Sequence, residues 1–182
     1  AHWITINYRE AYKIFACNGI LFNHESPLRG ETFVTKKVVK SAVKYFKNKK
    51  EVLQIGNLDA IRDWGHAKDY IENMWVMLQK KKPNDYVVAT NKSYTVRKFI
   101  EETYKLLGIK IIWKGKGIKE NGLDNKTKKI IIKVNSRYFR PNEVENLRGN
   151  PAKAKKELRW KPRVKFKELI KEMIEYELKL QG

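Results

Sequence analysis

The sequence predicts an α/β protein, and three observations carry that prediction. Short apolar runs alternate with segments of helical period along most of the 182 residues. Gly, Pro and Asn punctuate the changeovers, as at Asn18-Gly19, Pro83-Asn84-Asp85 and Gly108. Hydrophobic residues make up 42% and aromatic residues 12%, enough to fill a core in spite of the charge.

Taken in order, residues 3–17 carry apolar side chains at helical spacing from Tyr8 onward, with Asn18-Gly19 as the stop. Ile20-Leu21-Phe22 predicts a buried strand, and Asn23 to Gly30 a polar loop. A second helix is expected from about Thr35 to Lys47. Val38, Val39, Ala42, Val43 and Phe46 form its apolar stripe, and Lys36, Lys37, Lys40, Lys44 and Lys47 its outer face. Residues 51–58 predict a strand, and Asp59 to Gly65 a loop. A helix over Tyr70–Lys80 follows, with Ile71, Met74, Trp75 and Leu78 inside. Tyr86 to Ala89 predicts a strand. Ser93 or Thr95 caps a helix reaching Leu107, closed by Gly108. Ile109 to Trp113 predicts a strand, 114–129 a Lys- and Gly-rich mobile connection, and Ile130 to Val134 another strand. Phe139 to Val144 is a structured turn. Helices near 151–158 and 166–180 end the sequence, the last burying Phe166, Leu169, Ile170, Met173 and Ile174, with Glu175 and Lys179 as an i,i+4 pair.

The formal charge is +20, from 40 Lys plus Arg against 20 Asp plus Glu. Such an excess suggests a nucleic-acid binder. Only nine of the 40 are Arg, however, and the Lys residues are scattered along helices as solvated surface would be. Cys17 is alone, which excludes an intrachain disulfide and a multi-cysteine zinc site and suits a reducing compartment. No apolar run approaches a membrane span, and no signal peptide is recognisable. The opening residues, without Met, have the character of mid-helix, so an upstream segment is expected. His2, His24 and His66 lack metal-binding spacing. No glycine-rich phosphate loop, Walker A sequence or nucleophile elbow is present.

In open α/β sheets ligands bind beyond the carboxyl ends of strands, so the loops there are the places to search. Three polar clusters stand out. Asn23 to Arg29 offers amide, imidazole and guanidinium donors, or is a turn whose Asn and Ser cap the backbone. Asn57 to His66 offers Arg62 as a phosphate clamp oriented by Asp59 or Asp63, or an Arg62–Asp63 pair beside a core Trp64. Arg137 to Glu143 offers Arg140 for phosphate and Glu143 for a sugar diol, or is a Pro turn with solvated charges.

The segments NGILFNHESPLRG (18–30), FVTKK (33–37), GNLDAIRDWGHAKDY (56–70), YFRPNEVENL (138–147) and LRWKPRVKF (158–166) closely resemble the GDP-mannose 4,6-dehydratase family. That family lies within the extended short-chain dehydrogenase/reductases. The resemblance implies the C-terminal part of a Rossmann-type NADP-binding fold interleaved with a smaller α/β sugar-nucleotide-binding domain. It places residues 1–30 in the Rossmann part and 31–182 mainly in the substrate domain, with about 67–90 returning to the Rossmann part.

It further implies oxidation at C4 of GDP-mannose by NADP, loss of water across C5 and C6, and return of hydride to C6. The family's glycine-rich loop, catalytic Thr and Glu, and Tyr-x-x-x-Lys pair would precede residue 1, so no catalytic residue is assigned here. His24 and Arg29 match cofactor contacts. Asn23, Val34, Lys37, Leu58, Arg62, Arg140 and Glu143 match substrate contacts, Arg62 and Arg140 at the diphosphate and Glu143 at the ribose. Leu28 stands where the family usually has Arg. The implied setting is a cytoplasmic homo-oligomer with GDP-mannose as partner and neither nucleic acid nor membrane. The competing classes are a basic nucleic-acid module and a related dehydratase or epimerase acting on another nucleotide sugar.

Overall fold

A computed structural model describes residues 1–139 and 144–181. The first half contains helix α1 (His2–Tyr12), strands β1 (Gly19–Leu21) and β2 (Asn23–Glu25), helix α2 (Val34–Asn48), strands β3 (Leu53–Ile55), β4 (Ile61–Arg62) and β5 (Trp64–His66), and helix α3 (Ala67–Leu78). Strands β6 (Tyr86–Val88) and β7 (Tyr94–Thr95), helix α4 (Val96–Leu106), and strands β8 (Ile111–Lys114), β9 (Asn121–Asp124), β10 (Ile130–Val134) and β11 (Asn146–Leu147) follow. Helices α5 (Ala152–Leu158) and α6 (Phe166–Leu180) complete the order. The expected α/β class is the one observed.

The principal core lies where α2, α4 and α6 pack on one another and on β3 and β10. Val38, Val39, Ala42 and Val43 of α2, Phe99, Ile100 and Tyr104 of α4, and Leu169, Ile170 and Met173 of α6 are all nearly or fully buried. Each set recurs every three to four residues, which lays an apolar stripe along one side of its helix. Thr95 caps α4 by accepting the Lys98 N–H at 3.0 Å. Gly108, at φ +74°, ends that helix in the left-handed conformation that glycine adopts without steric cost. A second core joins Tyr70 and Met77 of α3 to Tyr86 and Val88 of β6 and to Ala154, Leu158 and Trp160.

Four small sheets organise the strands. β3 pairs in parallel with β10, and β9 and β8 continue that sheet antiparallel. β11, β4 and β7 form a second sheet. β1 with β6 and β2 with β5 are two-stranded parallel pairs.

Several expectations are revised. α1 stops at Tyr12, where Lys13 turns left-handed, and none of its residues is buried. Residues 23–25, 61–62 and 64–66 are strands, not loop, because each finds a partner distant in sequence. β9 runs through the expected mobile connection, held between β8 and β10. In α3 the buried residues are Asp69, Tyr70, Asn73 and Met77, whereas Ile71, Trp75 and Leu78 are exposed. Phe46 is also exposed. Lys36, placed above on an outer face, is only 5% exposed. It pairs with Glu177 of α6 at 2.8 Å and donates to the Pro27 carbonyl at 3.0 Å, which offsets the desolvation of its charge. Glu175 pairs with Lys171 one turn back, at 3.7 Å.

Candidate functional site

The strand register brings two of the polar clusters side by side. β2 lies parallel to β5, with Asn23 opposite Trp64, His24 opposite Gly65 and Glu25 opposite His66. β4 lies between β7 and β11, which sets Arg62 at the mouth of the same region. Arg62 Nη1 donates to the Ile61 carbonyl at 2.8 Å and to the Val144 carbonyl at 2.7 Å. The guanidinium is thereby tied to the segment that follows the third cluster.

A cleft of about 530 Å³ opens between these elements and the first turn of α2. Asn23, Val34, Lys37 and Arg62 line it, together with Trp64 and Tyr138. Its described lining holds two cations and no carboxylate. A concave, partly apolar surface with two convergent cations suits an anionic ligand that also carries a flat apolar portion.

The nearby carboxylates are committed elsewhere. Asp63 is fully buried and accepts the Thr90 hydroxyl at 2.6 Å and the N–H groups of Thr90, Asn91 and Gly149. Asp59 accepts the Arg97 guanidinium at 3.1 Å, and Arg97 also meets Glu120 at 2.6 Å above the Trp113 ring. Neither Asp59 nor Asp63 is placed to orient a phosphate beside Arg62, and the carboxylate of Asp63 organises the turn after β6 instead.

The remaining expected contacts divide. His24 Nδ1 lies 2.9 Å from the Phe22 carbonyl, and its ring packs 5.4 Å from that of Tyr70. A carbonyl only accepts, so Nδ1 carries the proton of this hydrogen bond, and Nε2 points away from it. Arg29 Nε lies 3.2 Å from Glu25 Oε2, and its guanidinium stacks 3.5 Å above the Phe33 ring. Burial pushes the Glu25 carboxyl up, against the hydrogen bond from Thr35 and the charge of Arg29. His24 and Arg29 thus lie on β2 and the turn after it, outside the lining of the cleft. Leu58 is 3% exposed and belongs to the hydrophobic core. Arg140 and Glu143 lie outside the described residues. Thr32 and Val96 line the cleft without having been singled out. Val96 looks like any apolar residue in the first turn of a helix, and nothing local in the sequence distinguishes it.

No group of three or more His, Cys, Asp or Glu among the described residues is arranged to hold a metal ion. No described helix is long and apolar enough to cross a membrane.

A family model described as GDP-mannose 4,6 dehydratase matches residues 1–173. The chain belongs to this family. It is 51% identical over 178 residues to the GDP-mannose 4,6 dehydratase of Drosophila melanogaster, a match covering 98% of this chain and 45% of that protein. Identity to the Homo sapiens GDP-mannose 4,6 dehydratase is 50% over 180 residues, covering 99% of this chain and 48% of that one. The chain spans about half the length of the curated relatives it matches.

Among solved structures, RMD from Pseudomonas aeruginosa complexed with NADPH superposes with a TM-score of 0.78 at 15% identity, over 98% of this chain and 53% of that one. The dTDP-glucose 4,6-dehydratase of Bacillus anthracis in complex with NAD gives a TM-score of 0.77 at 20% identity, over 98% of this chain and 49% of that one. Likeness at this identity establishes the fold, a Rossmann-type α/β fold.

Proposed function

We propose that this chain supplies the GDP-sugar-binding half of a GDP-mannose 4,6-dehydratase, a lyase that converts GDP-mannose to GDP-4-keto-6-deoxymannose with bound NADP. The observation that carries the reading is the cleft in which Lys37 and Arg62 converge beside Asn23, Val34 and Tyr138. Two cations match a diphosphate, and Arg offers a bidentate fork. Family membership supports guanosine diphosphate as the nucleotide. Holding it remotely would orient the sugar for reaction.

His24 and Arg29 are the residues of this chain that would hold NADP, whose nicotinamide takes up a hydride and returns it. With Nδ1 of His24 taken by the Phe22 carbonyl, Nε2 is the ring nitrogen that would meet a polar group of the cofactor. Arg29, still partly exposed beside Glu25, fits a phosphate. In this reading residues 1–30 and about 67–90 complete the dinucleotide-binding domain, and most of 31–182 forms the sugar-nucleotide domain. The separate core that joins Tyr70 and Met77 to Tyr86 and Val88 supports the return at 67–90, and it adds residues 154–160 to that part. A homo-oligomer in the cytoplasm, where the lone Cys17 stays reduced, completes the proposal.

Titration calorimetry tests it. The chain, and a longer protein that includes a dinucleotide-binding half, are titrated with GDP-mannose, with dTDP-glucose and UDP-glucose, and with NADP. Preference for GDP-mannose is expected. Tighter binding of a pyrimidine nucleotide sugar would assign the cleft to a different dehydratase or epimerase, and absence of all binding by the longer protein would refute the reading.

A further inference from the structure

We infer that Tyr138 is the positioning residue for Lys37, holding its ammonium group ready for a diphosphate oxygen in the cleft. This rests on the reading of the cleft given above. Lys37 Nζ lies 3.6 Å from the centre of the Tyr138 ring, and both residues line the cleft.

The neighbouring lysines of α2 show why the partner matters. Lys36 is paired with Glu177 and Lys40 with Glu31 at 2.5 Å. Their charges are neutralised by carboxylates. Lys37 has no carboxylate within ion-pair distance among the described residues, and its partner is the face of a ring. An aromatic face attracts a cation through its quadrupole but leaves the net charge in place. Lys37 is therefore held and still fully available to an anion.

The ring is placed by the fold and not by the lysine. Tyr138 closes a short 3-10 turn, Ser136–Tyr138, in which its N–H donates to the Asn135 carbonyl at 3.0 Å. Asn135 Oδ1 also accepts the Arg137 N–H at 3.0 Å. Behind the turn, the Tyr138 carbonyl oxygen would lie 2.4 Å from any Cβ at Gly56, so the backbone rests directly on that glycine. A lysine held over a fixed ring gives up less rotamer freedom on binding than one free in solvent. The ring face does this, and the phenolic hydroxyl is not needed.

Calorimetric titration of GDP onto the protein and five variants tests the inference. Tyr138→Phe keeps the ring and is expected to bind GDP within about twofold of the unsubstituted protein. Tyr138→Leu is expected to weaken binding by about two- to fivefold, the size of a half-exposed cation–π contact. Tyr138→Trp, which offers a stronger ring face, is expected to restore binding, and it controls for a Leu variant that folds poorly. In the Lys37→Met background, Tyr138→Leu is expected to cost nothing further. Multiplicative losses in that double variant would overturn the positioning role, as would Tyr138→Phe binding as weakly as Tyr138→Leu, no loss in Tyr138→Leu, or weaker binding by Tyr138→Trp than by Tyr138→Leu. Failure of the unsubstituted protein to bind GDP would overturn the reading of the cleft itself.

Discussion

Arg62 and Asp63 are neighbours in sequence with opposite tasks. Arg62 lies at the cleft and donates to the Val144 carbonyl at 2.7 Å, while Asp63 is buried and holds four donors of other segments. Two substitutions separate them. Arg62→Lys keeps the charge but loses the fork, so GDP affinity is expected to fall by about tenfold, or ~1.4 kcal/mol, in a calorimetric titration. Asp63→Ala leaves four donors, three in the turn after β6 and one at Gly149, without their acceptor, and a loss of about 3 kcal/mol in urea unfolding is expected. Gly56→Ala sets a methyl group against the Tyr138 carbonyl, and a cost of about 1–3 kcal/mol is expected in the same measurement. At this scale the sequence was informative about residue type more than about placement. Its three clusters named Asn23, Arg62, Trp64 and Tyr138 as polar or aromatic loop residues, but a one-dimensional pattern does not say which carboxylate meets which cation. Asp59 and Asp63 stand beside Arg62 in sequence and bind elsewhere because β4 and β5 are pinned by strands remote in the chain.

Among the elements, α2, α4 and α6 were legible because each carries a strong apolar stripe facing one core. The strands of two or three residues were not, since so short a segment has no period of its own and exists only through its partner. α3 reversed the expected faces. Its inward side carries Asp69, whose carboxylate accepts the N–H groups of Arg163 and Val164, while Trp160 donates to the Asp69 carbonyl. Polar groups with such partners bury as readily as apolar ones.

α1 is docked by a charged contact instead of a stripe: Arg9 meets Asp85 at 2.8 Å, and Asp85 also accepts the backbone and side-chain N–H groups of Asn18. The hydrogen bond from Arg9, with those from Asn18, brings the Asp85 carboxyl from 3.8 down to about 2, in spite of partial burial. A depressed carboxylate stabilises the folded state above its ordinary pKa, and that contribution is lost as pH falls through the folded value. Between about pH 4 and pH 2 the urea midpoint is therefore expected to fall less steeply in Asp85→Asn than in the unsubstituted chain.

For the molecule as a whole, the charge and the apolar surface have different consequences. The +20 excess is spread over many lysines, and Lys37 and Arg62 share one cleft. Duplex DNA of random sequence is expected to bind at low salt no more tightly than to an unrelated lysine-rich protein. Tight, steeply salt-dependent binding in fluorescence anisotropy would revive the nucleic-acid reading. The apolar surface lies on α1 and α3, where Trp3, Tyr12, Ile71 and Trp75 are each more than 60% exposed. Beside them, β1 pairs with β6 and with no other strand among the described residues. A two-stranded parallel pair with such surface at its flank needs a cover. The isolated chain is expected to self-associate in light scattering at micromolar concentration. A monodisperse monomer with one cooperative transition would contradict that.

The buried pair between Lys36 and Glu177 joins the start of α2 to the final turns of α6. Lys36 is also the immediate neighbour of Lys37, so the Lys37 end of the cleft is anchored to the final turns of α6. Removing the Glu177 carboxylate, as in Glu177→Ala, would strand the Lys36 cation inside the protein, at a cost of about 3–5 kcal/mol. Nucleotide binding would then weaken although the remote β8–β9–β10 sheet is untouched.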